Sequence, residues 1–138
     1  MSDLGTLNIN YDPETEQIVM NSTIPIGSYA ALGWGSSMIN TEMVQFSADT
    51  DATQSKFATF YSSAKEKPSL DSSYLSCYTW SVKETSIGIM EFIATRPLDC
   101  NINDSYAISL DTALDLIIAW NPSNPEMSYH DSNKREFV

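Results

Sequence analysis

Apolar and polar residues alternate in short runs along most of the chain, with turn-forming residues between them, and this pattern predicts strands. Thr6 to Tyr11 sets Leu7, Ile9 and Tyr11 on one side, and Asp12-Pro13-Glu14 turns it. Gln17 to Met20 is a second short run. Ser28 to Trp34 sets Tyr29, Ala31 and Gly33 against Ala30, Leu32 and Trp34. Glu42 to Ser47 and Lys56 to Tyr61 follow, separated by Asp49-Thr50-Asp51, while Ser62 to Ser73 is polar and reads as a surface loop. Tyr74 to Val82 and Ser86 to Thr95 have the strongest strand composition, aromatic and β-branched. They predict a hairpin joined around Lys83-Glu84-Thr85. Ala113 to Trp120 also fits a helix through Leu114, Ile117 and Ile118, but the run is short and Pro122 and Pro125 stop it, so a strand is expected. About ten short strands with no long helical stripe predict an all-β fold, an antiparallel β-sandwich.

The 138 residues make room for one domain, spanning residues 1–138. A chain of this size buries roughly two-thirds of its unfolded surface, so it folds without a metal or a dense disulfide net. The formal net charge of −11 disfavours phosphate backbones and anionic lipid heads as partners. Nucleic acid is therefore not expected, and no run approaches the roughly eighteen apolar residues of a membrane span. The first residues have neither a basic start nor an apolar run, so a signal peptide is expected to be absent or already removed. Sequons at Asn21-Ser22-Thr23 and Asn103-Asp104-Ser105 make Asn21 and Asn103 candidate glycosylation sites.

The catalytic inventory is thin. His130 is the single histidine, Gly33-Trp34-Gly35-Ser36-Ser37 lacks the second glycine of a nucleophile elbow, and no Walker loop or G-x-G-x-x-G occurs. Four Cys or His ligands for a structural zinc site are not present. Asp49-Thr50-Asp51 can contribute oxygen ligands to Ca²⁺, but a lone D-x-D is more often a turn. Cys77 and Cys100 fit either a disulfide, which would stabilise by ~3 kcal/mol and imply an oxidising compartment, or two buried thiols. If the hairpin centres near residue 84, Cys100 has to fold back from a bend to reach Cys77. Trp34, Trp120, Tyr78 and Tyr129 can line a pocket or fill the core, and Tyr129, beside His130, is the better pocket candidate.

Four stretches, in order, resemble the DOMON family of extracellular redox and binding domains. Tyr29-Ala30-Ala31-Leu32-Gly33-Trp34-Gly35-Ser36-Ser37-Met38 is similar to its "A-x-G-[FW]-…-M" strand and loop. Glu84-Thr85-Ser86-Ile87-Gly88-Ile89-Met90-Glu91-Phe92-Ile93-Ala94-Thr95-Arg96-Pro97-Leu98-Asp99-Cys100 resembles its "F-x-R-P-L-D-C" strand and bend. Leu116-Ile117-Ile118-Ala119-Trp120 and then Tyr129-His130-Asp131-Ser132-Asn133-Lys134-Arg135 resemble "V-I-W-A … Y-H-x-x-N-R-G", although Glu136 replaces the final glycine. The match runs from about Gly27 to Val138 and implies an immunoglobulin-like β-sandwich. The family includes dopamine beta-hydroxylase-like monooxygenases, plant ferric-reductase-like proteins and the cytochrome domain of cellobiose dehydrogenase.

The resemblance implies haem b held between a methionine and a histidine, and these positions fall on Met38 and His130. Imidazole and thioether then fill both axial positions, leaving none for oxygen, and such an iron carries electrons. Met43 is a reserve ligand. Met127 is too close to His130 in sequence for the two to reach opposite faces of one ring. Trp34 and Tyr129 are expected to border the cofactor. The implied role is electron transfer without a catalytic site of its own, to a redox partner with a basic docking face, in an extracellular or lumenal setting. The alternative that the resemblance leaves open is a haem-free module binding carbohydrate or another protein, and a purely structural subunit also fits the charge and size.

Overall fold

In the computed structural model, residues 5–35, 41–62, 69–70, 72–101, 107–109, 116–123 and 135–137 are described below. They form ten strands: β1 (Thr6–Asp12), β2 (Gln17–Pro25), β3 (Ser28–Trp34), β4 (Thr41–Ala48), β5 (Lys56–Ser62), β6 (Ser69–Leu70), β7 (Thr79–Ser86), β8 (Ile89–Pro97), β9 (Leu116–Asn121) and β10 (Arg135–Phe137). One sheet has the order β1-β2-β8-β7 and the other β10-β9-β3-β4-β5-β6, and all pairings are antiparallel. The all-β sandwich expected from the alternation is therefore the observed architecture.

The period-2 rule sorts the side chains. In β2 the inward residues are Ile18, Met20, Ser22 and Ile24, and in β8 they are Met90, Phe92, Ala94 and Arg96. From the larger sheet, Ala30, Leu32, Trp34, Val44, Phe46 and Phe57 meet them. Tilted ring pairs cross the core, with Phe46 5.5 Å from both Phe57 and Phe92. These pairings add to the burial of large apolar surfaces.

Several elements differ from expectation. The second run extends to Pro25, because the inward Ser22 donates to the Thr6 carbonyl at 3.1 Å and so tolerates the core. Residues Ser72–Cys77 form a 3-10 helix, and the strand starts only at Thr79. Serine hydroxyls there compete for the backbone, as Ser76 does in donating to the Ser73 carbonyl. Within the polar stretch after Ser62 lies the two-residue edge strand β6. Ala113 to Trp120 contains a strand, Leu116–Asn121, and no helix among the described residues.

The β7–β8 hairpin turns at Ile87-Gly88, later than expected. Gly88 adopts a φ of 81°, which glycine takes without a Cβ penalty, and Ile87 stands fully in solvent. A bulge at Glu84–Ser86 absorbs the extra residue. The register then pairs Thr79 with Thr95, so Cys77 already points toward the segment after Pro97. The disulfide Cys77–Cys100 closes across a Cα separation of 5.7 Å. Asp49-Thr50-Asp51 is a turn: the Asp49 carboxylate accepts from the Asp51 amide, and Asp51 caps the 3-10 helix Ala52–Gln54.

Candidate functional site

Two features mark the larger sheet, the first at the end where β3 finishes and β4 begins. The first is polar and lies between the sheets. Arg96 and Glu42 form an ion pair, Nη1 to Oε2 3.2 Å, with both side chains 0% exposed. The Tyr78 hydroxyl donates to the same Glu42 oxygen and accepts from Trp34 Nε1 at 2.8 Å. Arg96 Nη1 also reaches that hydroxyl, and its remaining nitrogens donate to the Pro97 and Leu98 carbonyls. The guanidinium lies over the Trp34 ring, 5.1 Å from its centroid, and near the Tyr78 ring. No buried side-chain polar atom among the described residues lacks a partner. Burial pushes the Tyr78 hydroxyl far above its ordinary range, and the Glu42 charge adds to this while Arg96 opposes it.

The second feature is an apolar cluster on the opposite side of the same sheet, among buried polar residues. Strands β3 and β4 are buried at every position, and β9 along Leu116–Trp120, although a sandwich covers only one face of each sheet. Tyr29, Ala31, Met43 and Phe60 form a second apolar cluster on this outer face. By register, Ala31 pairs with Ala119 and Gly33 with Ile117, so small residues sit side by side on β3 and β9. A Cβ placed on Gly33 would come within 3.2 Å of Thr41 Cγ2 and 3.7 Å of Met43 Cε. Gln45, which pairs with Ala31, and Thr41 and Ser47 are buried polar residues on the same face. No second sheet packs against this face among the described residues.

The expected site residues divide between described and undescribed parts of the chain. Met38, Tyr129, His130, Asn103 and Met127 lie outside the described residues. Trp34 is in the core, with its indole engaged by Tyr78 and Arg96. Trp120 is also a core residue. Met43, the reserve ligand, is 3% exposed and belongs to the outer-face cluster. Cys77 and Cys100 are bridged. Asn21 lies within the central strand β2, where its amide donates to Glu91 at 3.4 Å. Among the described residues no group of three or more His, Cys, Asp or Glu side chains is arranged to hold a metal, and no helix is long and apolar enough to cross a membrane.

The segments carrying positions 38 and 130 both join strands of the larger sheet, and their anchors lie at opposite ends of it. Residues 36–40 connect Gly35 to Thr41, at the end where Trp34 pairs with Leu116. Residues 124–134 connect Ser123 to Arg135, starting beyond the Tyr29–Asn121 pair at the other end. The seven residues of β3 separate the two ends by about 20 Å.

Sequence reasoning overlooked Arg96 and Glu42 as a pair. The signal was present: both occupy inward positions of strands whose other inward residues are apolar. Parity marks them as buried charges, and buried charges need a partner.

The fold is similar to that of two solved cytochrome domains. One is the cytochrome domain of Myriococcum thermophilum cellobiose dehydrogenase, with a TM-score of 0.62 and 13% identity over 96% of this chain and 71% of that one. The other is the cytochrome b domain of pyranose dehydrogenase from Coprinopsis cinerea, with a TM-score of 0.53 and 13% identity over 96% of this chain and 80% of that one. The first is of the kind the sequence motifs pointed to. No family model matches the sequence, and no curated protein matches it.

Proposed function

We propose that the protein is an electron-transfer domain holding haem b between Met38 and His130, against the outer face of the larger sheet. The observation that carries this reading is the outer face itself. It is buried, holds the apolar cluster Tyr29, Ala31, Met43 and Phe60 beside the buried polar side chains of Thr41, Gln45 and Ser47, and is not covered by a second sheet among the described residues. The largely apolar haem would be sheltered from water against such a surface. The fit extends to the connections. The segments that bear Met38 and His130 both join strands of this sheet. The likeness to two cytochrome domains supports the same reading.

Met38 and His130 would hold the haem, which would supply one-electron redox chemistry there. The chain's own residues perform the remaining tasks. Tyr29, Met43, Phe60 and Ile117 exclude water from one edge of the haem. Tyr129 borders the histidine, and Trp34 stiffens the strand from the core side. The acidic surface, net charge −11, steers docking toward a redox partner with a basic face. The bridged cysteines favour an extracellular or lumenal setting.

The purified protein, titrated with hemin, is expected to show a sharp low-spin spectrum that changes on reduction. Met38→Ala and His130→Ala are each expected to abolish the low-spin signature while the protein still melts cooperatively. A folded wild-type protein that stays colourless would sink the proposal and leave the haem-free binding module, which a carbohydrate-binding screen then tests.

A further inference from the structure

We infer that Arg96 and Tyr78 are positioning residues for the segment that carries Met38, acting through Trp34 and Glu42 at its two stems. The inference deepens the haem reading above and rests on it. Trp34 is the last residue of β3, and Glu42 is the second residue of β4, so residues 36–40 span the gap between them. Both stems turn an inward side chain onto the same pair of groups from the opposite sheet. Trp34 Nε1 donates to the Tyr78 hydroxyl at 2.8 Å and lies under the Arg96 guanidinium. Glu42 accepts from that hydroxyl and from Arg96 Nη1 at 3.2 Å. A shift of either stem along its strand would break a buried hydrogen bond.

The holding side is itself fixed. Arg96 donates to the Pro97 and Leu98 carbonyls, and the disulfide ties Cys100 to Cys77, the residue before Tyr78. The two gripping residues therefore sit within one cross-linked loop. Core stability alone accounts poorly for the arrangement. A buried ion pair is often no more stabilising than apolar residues of the same volume, whereas its geometry is restrictive. Fixing two stems at one point is a use for that restriction, since an axial thioether has to be delivered to one position.

Tyr78→Phe and Glu42→Gln test the inference while preserving shape. Tyr78→Phe is expected to fold, with amide exchange faster by about tenfold at Gly33–Gly35 and Thr41–Met43, the equivalent of one lost buried hydrogen bond, and unchanged in β2, while Glu42→Gln, which leaves the buried Arg96 charge without its partner, should speed exchange at the same stems by more. In the haem-loaded variants the thioether-to-iron charge-transfer band should weaken toward that of Met38→Ala. Haem-bound wild type accompanied by variants with wild-type exchange and spectrum would overturn this inference alone. A wild-type protein that takes up no haem would overturn both the haem reading and the assignment of these residues to Met38.

Discussion

At the residue scale, Tyr78 shows what burial does to a titratable group. Its hydroxyl is neutral in the fold and engages three partners, while in the unfolded chain it ionises near pH 10.0. Its folded pKa is raised, so the stability it contributes is complete below pH 10 and is lost as the pH climbs beyond it. One proton's linkage amounts to about 1.4 kcal/mol per pH unit. Urea unfolding of the wild type between roughly pH 9 and 11 should therefore fall more steeply than that of Tyr78→Phe, by up to one proton's slope. Equal slopes would mean that the hydroxyl is not protected. Arg96 and Glu42 belong to the same scale and were legible by strand parity. Their meeting was not, because parity gives a face and says nothing about what stands opposite.

At the element scale, the larger sheet is unusual in burying both faces of β3, β4 and most of β9. The sequence carries a trace of this: Tyr29 to Trp34 and Leu116 to Trp120 are apolar at nearly every position, not only at alternate ones. Runs of that kind mark strands covered on both sides. Ala31 lies at the centre of the outer face, beside Ala119. Replacing it with leucine adds bulk to that face, at a folding cost of about 1–3 kcal/mol. Ala31→Leu should keep a cooperative melt and lose at least about tenfold in haem affinity on hemin titration, the effect of some 1.4 kcal/mol of lost contact. Undiminished uptake would place the cofactor elsewhere. The β7–β8 hairpin illustrates the limit of local reading. Lys83-Glu84-Thr85 has turn-like polarity, yet Gly88, the residue able to take a positive φ, decides where the chain reverses.

At the scale of the whole molecule, eighteen acidic residues against seven basic ones make a negative surface around a small sandwich. Such a field accelerates encounter with a basic partner without deciding which partner it is. Electron delivery to a basic acceptor protein, followed by stopped-flow absorbance, should slow by about tenfold or more as salt rises from low ionic strength to well above physiological levels, where charges are screened beyond a few ångströms. A rate indifferent to salt would remove the acidic surface from the docking argument.

The sequence by itself determined the class of fold, the inward and outward faces of most strands, and the presence of two cysteines able to bridge. These follow from the two-residue period of a strand and from the chemistry of single residues. The tertiary structure decided that the bridge closes, that Trp34 is held between Tyr78 and Arg96, and that a second apolar face exists behind the larger sheet. It also decided that the segments bearing positions 38 and 130 are anchored at opposite ends. Each of these depends on which strands become neighbours and in what register, and that is set by the joint burial of residues far apart in the chain.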